Sequence, residues 1–81
     1  MLKIYGTLQC PDCVQCKAEL EKAGVAFTYY DFGDNLLHLK EFLKLRDHEA
    51  VFDEVKAIGK IGIPCILRPD GSVTLSWEEF I

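Results

Sequence analysis

The chain has 81 residues, a length that fits one domain near the lower size limit for a self-standing core and excludes two. Hydrophobic residues make up 49% and charged residues 27%, the balance of a folding globular chain rather than a disordered one. Nine basic against thirteen acidic residues leave a net charge of −4, the wrong sign for affinity gained by neutralising phosphates, so no nucleic-acid partner is expected. No apolar run approaches the ~20 residues that span a bilayer, and the start MLKIYG carries no signal-peptide pattern. A cytoplasmic protein with no membrane partner is expected.

The elements follow in chain order. Leu2 to Tyr5 alternates and stops at Gly6, which predicts a short strand. Pro11 suits a first helical position and Gly24 the residue just past a helix end, which predicts a helix over 11–23 with the apolar stripe Cys13, Cys16, Leu20 and Ala23. Val25 to Phe32 is rich in strand formers and ends in the turn residues Gly33, Asp34 and Asn35. Asn35 is placed to cap a helix burying Leu36, Leu39 and Leu43, with Phe42 beside them. Asp47 is placed to cap a second short helix that buries Val51 or Phe52, Val55 and Ile58 and stops at Gly59.

Ile61 to Leu67 is an apolar run interrupted by Pro64, and Arg68-Pro69-Asp70-Gly71 turns it into Ser72 to Leu75, so a hairpin is predicted. Ser76 and Glu79 fit a capping box that would start a helical stub over 77–81. The order β-α-β-α-β-β-α makes the first two strands parallel and the last two antiparallel, giving one domain over 1–81 with a mixed four-stranded sheet flanked by helices.

Four cysteines are too few for a disulfide scaffold, and three are bunched as Cys10, Cys13 and Cys16, which in a reducing compartment points to redox or metal chemistry. A Cys-x-x-Cys at a helix mouth has a physical use, because the free amides and the helix dipole favour a thiolate there. The first sulfur attacks a disulfide, and the second lies near enough to resolve the mixed disulfide within the molecule.

Cys10-Pro11-Asp12-Cys13 after a strand ending in Tyr5, with Ile63-Pro64 opening a late strand, resembles the glutaredoxin branch of the thioredoxin-fold family over nearly the whole chain. The resemblance implies a thioredoxin-like α/β fold and a glutaredoxin-like disulfide oxidoreductase. Cys10 would be the attacking thiolate, Cys13 the resolving thiol and Pro64 a cis proline shaping the substrate groove. Pro11 would stiffen the helix entrance, the backbone at Ile63 and Pro64 would align a substrate strand, and Trp77 would either bind a partner or cover the sheet end; all four are the substrate-binding candidates.

The stretch through Leu39 to Arg46 and Ile61 to Ile66 is similar to small bacterial glutaredoxin-related proteins. Two departures from glutaredoxins bear on the reductant. Leu8 and Gln9 stand where a basic residue usually precedes the motif, and Leu75-Ser76-Trp77-Glu78 replaces the segment that holds glutathione. Leu75-Ser76-Trp77 with Phe80, and Cys13-Val14-Gln15-Cys16-Lys17-Ala18, resemble redoxins that serve ribonucleotide reductase and draw electrons from thioredoxin reductase. The electron donor is therefore expected to be thioredoxin reductase or glutathione, with glutathione the poorer partner. The substrate would be a disulfide in a protein or a small molecule, reduced by a monomer without metal or organic cofactor.

Two overlapping Cys-x-x-Cys pairs compete for the active site. In both redoxin types the first cysteine commonly lies five residues after a strand-ending Tyr, which selects Cys10, and the helix stripe places Cys16 inward with Leu20. Cys16 and Cys65 are left as buried hydrophobes or as auxiliary thiols meeting beneath the active site. Strand alternation also permits a phase in which the sheet separates them. Two other function classes stay open, a redox-sensing module without turnover and a cysteine-based zinc or iron–sulfur protein. The spacing disfavours the second, since Cys65 is alone and distant. His38 and His48 read as solvated, and Asp47, Glu49, Asp53 and Glu54 as a water-facing surface.

Overall fold

A computed structural model describes residues 1–81. Its elements are β1 (Leu2–Gly6), α1 (Pro11–Lys22), β2 (Phe27–Asp31), α2 (Leu36–His48), a 3-10 turn over Ala50–Phe52, α3 (Asp53–Ala57), β3 (Cys65–Leu67), β4 (Val73–Thr74) and a 3-10 stub over Trp77–Phe80. The four strands form one sheet in the order β2-β1-β3-β4. β1 runs parallel to β2 with Ile4 opposite Tyr29, and antiparallel to β3 with Tyr5 opposite Cys65. β3 and β4 close the sheet as the expected hairpin. No helix is long and apolar enough to cross a membrane.

The period-2 alternation of strands splits the core into two layers. On one face Leu2, Ile4 and Ile66 pack with Cys16 and Leu20 of α1, and Trp77 and Phe80 lean against them. On the other face Tyr5 and Cys65 pack with Phe42 and Phe52. Phe42 joins the second layer through its neighbours, with ring centroids 5.2 Å from Phe32 and 5.7 Å from Phe52. Burying each such side chain contributes roughly 1.5–3 kcal/mol.

Several local expectations change in the folded chain. α1 ends at Lys22, and exposed Ala23 becomes the cap, its amide bonded to the Glu19 carbonyl. β2 begins at Phe27 rather than Val25. α2 is rotated from the expected stripe: Phe42 is its buried residue, whereas Leu36 is 70% and Leu43 40% exposed. Polar contacts select that face, because Tyr5 Oη donates to Glu41 Oε2 at 2.9 Å and His38 Nδ1 lies 2.7 Å from the Asp31 carbonyl oxygen. His38 is therefore tied to the sheet, not solvated.

Asn35 caps α2 as expected, accepting from the Leu37 amide at 2.9 Å. Asp47 caps nothing, since α2 runs through it to His48 and the break falls at the extended Glu49. Phe52 rather than Val51 is buried after the break, and Ile58 is exposed. The Ser76–Glu79 capping box does not form. The Glu79 carboxylate instead accepts from Thr74 Oγ1 at 2.6 Å and from the Arg68 guanidinium at 3.0 Å, and the last element is a 3-10 turn.

Candidate active site

β1 delivers the chain to Gly6, and the turn from Thr7 carries it to Cys10, whose amide bonds the Thr7 carbonyl at 3.1 Å. Cys10 is the cap residue of α1 in extended geometry, with Pro11 following as the first helical residue. Proline costs little there, because a first-turn N–H has no helical partner in any case. Cys10 is half-buried, whereas Cys13, Cys16 and Cys65 are buried, and all four are free thiols.

Gly6 sets the depth of Cys13. A β-carbon at Gly6 would stand 2.7 Å from Cys13 Sγ, so only glycine leaves room for the sulfur against β1. Burial pushes the Cys13 thiol up to about 12; the Thr7 backbone and the Tyr29 hydroxyl pull the other way, and the adjacent Cys10 thiol adds to the rise.

The loop before β3 forms the facing wall. The Ile63-Pro64 peptide bond is cis, and Pro64 is buried while Ile63 is half-buried. Cys10, Thr7 and Gln9 on one side and Lys60, Ile61 and Ile63 on the other enclose a cleft of about 690 Å³, which Val55 and Leu75 also line. Cys10 and Ile63 thus line the same cleft, and buried Pro64 stands just behind Ile63 in the chain, outside the lining. Pro11 stands exposed at the helix mouth rather than in the cleft wall. Trp77 does not line the cleft; it packs on the α1 face of the sheet, where the 3-10 stub meets that helix.

Cys16 and Cys65 do not meet. Cys16 belongs to the layer under α1 and Cys65 to the layer under α2, with the sheet between them. The reason is register: Cys65 pairs with Tyr5 and shares its face, while Ile66 pairs with Ile4 and faces α1. Of the two arrangements the sequence left open, the one in which the sheet separates the two thiols is realised, and they do not meet beneath the active site. No three His, Cys, Asp or Glu side chains converge as metal ligands.

Two residues that carried no sequence signal hold the walls. Asp31, only 8% exposed, accepts from the Leu8 amide at 3.1 Å through Oδ2 and from the Gly33 amide at 2.6 Å through Oδ1. Arg46 donates from Nε to the Ile61 carbonyl and from Nη2 to the Lys60 carbonyl, both at 2.8 Å. A carboxylate ending a strand and an arginine late in a helix look like ordinary surface residues until the partners, far away in sequence, are known.

The buried thiols make stability depend on pH. Burial raises Cys16 to about 11, with Glu78 adding, and Cys65 to about 12, with Glu49 adding, from an ordinary 9.0. The unfolded chain releases these protons first. Stability is therefore complete below the ordinary thiol range and is lost as pH rises toward the folded values. The urea midpoint of the reduced protein should begin to fall at about pH 8.5 and keep falling toward about pH 11–12, and Cys65→Val should make that fall shallower.

An attackable thiol at a helix mouth, facing a cis-proline loop on a mixed β2-β1-β3-β4 sheet, defines a redox-type protein of the thioredoxin-like α/β fold. The family model for glutaredoxin matches residues 2–70, and the chain belongs to that family. It is also 44% identical over 70 residues, covering 86% of this chain and 81% of the relative, to an uncharacterized protein of Haemophilus influenzae. No solved structure matches the chain.

Proposed function

We propose that the protein is a thiol–disulfide oxidoreductase working through Cys10 and Cys13. The observation that carries this reading is that Cys10 alone of the four thiols reaches solvent, at the mouth of α1 and inside the cleft. The Cys10 thiolate attacks one sulfur of a substrate disulfide, forming a mixed disulfide and releasing the other half as thiolate. Cys13, deprotonated, then attacks Cys10 Sγ and releases the second half. The substrate takes up two electrons, and the Cys10–Cys13 disulfide holds the oxidation until a donor reduces it. The backbone beside Ile63 and Pro64 aligns an extended substrate segment by strand-type hydrogen bonds.

The reductant we favour is thioredoxin reductase. Glutathione carries two carboxylates, whereas the cleft wall offers the single cation Lys60, opposed by Asp12. NADPH consumption with a model disulfide, supplied either by thioredoxin reductase or by glutathione with its own reductase, tests both points. Turnover with the former and little with the latter is expected. Efficient turnover at ordinary glutathione levels overturns the choice of donor, and absence of turnover from either source overturns the enzyme reading.

A further inference from the structure

The Tyr29 hydroxyl is buried and has no hydrogen-bond partner. A buried hydroxyl left in this state is unfavourable, so its neighbours matter. Tyr29 lies opposite Ile4 across the β1–β2 ladder and reaches in on the α1 face of the sheet. There it converges with Cys13 on Gly6: the β-carbon position that lies 2.7 Å from Cys13 Sγ is also 3.0 Å from Tyr29 Oη.

We propose that Tyr29 is a positioning residue for the resolving step, its O–H donating a hydrogen bond to Cys13 Sγ once that sulfur becomes a thiolate. The inference rests on the reading of Cys10 and Cys13 as the working dithiol.

The chemistry of the pocket favours this division of labour. Burial leaves little Cys13 thiolate at neutral pH, yet the thiolate must exist to displace the substrate sulfur from Cys10. Charge-assisted hydrogen bonds are stronger than neutral ones, so a hydroxyl idle beside a thiol becomes useful beside a thiolate. Burial, with the neighbouring Cys13, holds the Tyr29 phenol above its ordinary range, so Tyr29 keeps its proton and remains a donor when Cys13 ionises. The other titratable groups facing this pair are Cys10 beside Cys13, Cys16 on the same helix and Asp31 farther along β2. In the balanced step the Cys13 proton leaves to solvent and Cys13 Sγ bonds to Cys10 Sγ. The substrate thiolate departs with the electron pair of the broken bond, and Tyr29 gains and loses no proton.

An aromatic disulfide that liberates a coloured thiolate separates the two steps, with one release as Cys10 attacks and a second as Cys13 resolves. Tyr29→Phe should leave the first release unchanged and should not lower the melting temperature of the reduced protein, since it removes an unpartnered buried hydroxyl. It should slow the second release roughly threefold at neutral pH, because a rise of about one unit in the Cys13 pKa cuts the thiolate about tenfold while making what remains about threefold more nucleophilic. A fluorinated tyrosine at position 29, a stronger donor, should speed the second release. Equal second releases in Tyr29→Phe and wild type overturn the proposal. So does a loss of melting temperature with both releases slowed together, the mark of a purely structural role. Absence of the first release in the wild type would instead defeat the Cys10 reading.

Discussion

Serine at position 10 should drop disulfide turnover to the uncatalysed background, serine at position 13 should stall it after the first step, and serine at position 16 should leave it within about twofold of wild type. The graded outcome follows from where α1 puts each thiol. Cys10 sits at the helix mouth and opens to the cleft. Cys13 lies one helical turn in, buried beside Cys10. Cys16 is a further turn in, sealed among Leu2, Ile4 and Leu20, with its thiol pushed up to about 11. Intact-mass measurement adds a structural readout: Cys13→Ser should accumulate as a covalent adduct of half the substrate, and Cys10→Ser should not. Activity lost in Cys16→Ser and kept in Cys10→Ser would transfer the site to the Cys13/Cys16 pair.

The second large effect is expected at Gly62→Ala. Gly62 has φ +91°, a backbone region that residues with a β-carbon avoid, and its β-carbon would meet the Phe52 ring at 2.8 and 2.9 Å and Val55 at 3.1 Å. Phe52 is fully buried, so the ring has nowhere to retreat. The backbone penalty of ~1–2 kcal/mol and an overpacking penalty of ~1–3 kcal/mol should together remove about 2–5 kcal/mol of stability. Gly59→Ala separates the two causes, because Gly59 has φ +74° with nothing within 4 Å; it should cost only the first part. Urea unfolding with unchanged m-value measures both.

The order of elements, the strand directions, the first helix and the place of Cys10 at its mouth were legible because each depends on local signals: Cys-Pro at a helix mouth, glycine after a helix, and a Pro-Asp-Gly turn. The face of α2 was not. Leu36, Leu37, Leu39, Leu43 and Leu45 offer more than one apolar stripe, and the choice among them falls to Phe42 filling the second layer and to anchors at Glu41 and His38. Capping signals at Asp47 and Ser76 were real in composition but lost in competition. The first is absorbed into a longer helix, and Glu79, the partner of the second, is drawn away by Thr74 and Arg68. The phase of Cys65 depended on one residue of register after Pro64, which only pairing with Tyr5 settles. Within the site, the cysteines and Pro64 announce themselves by type and spacing. Asp31, Arg46 and Tyr29 act across strands and loops, on partners that no local pattern reveals.

The two walls of the cleft are gauged by a single rod. Near its first turn α2 is tied through His38 to Asp31, whose carboxylate holds the Leu8 turn behind Cys10. Near its last turn the same helix is tied through Arg46 to the carbonyls of Lys60 and Ile61. The two anchor points are separated by helix rising 1.5 Å per residue, roughly 12 Å in all. The span between the thiol side and the proline side is thereby calibrated by a stiff element that does not itself line the cleft. Lengthening, kinking or tilting that helix would act as turning the screw of a caliper, changing the width of the cleft without altering any residue that lines it.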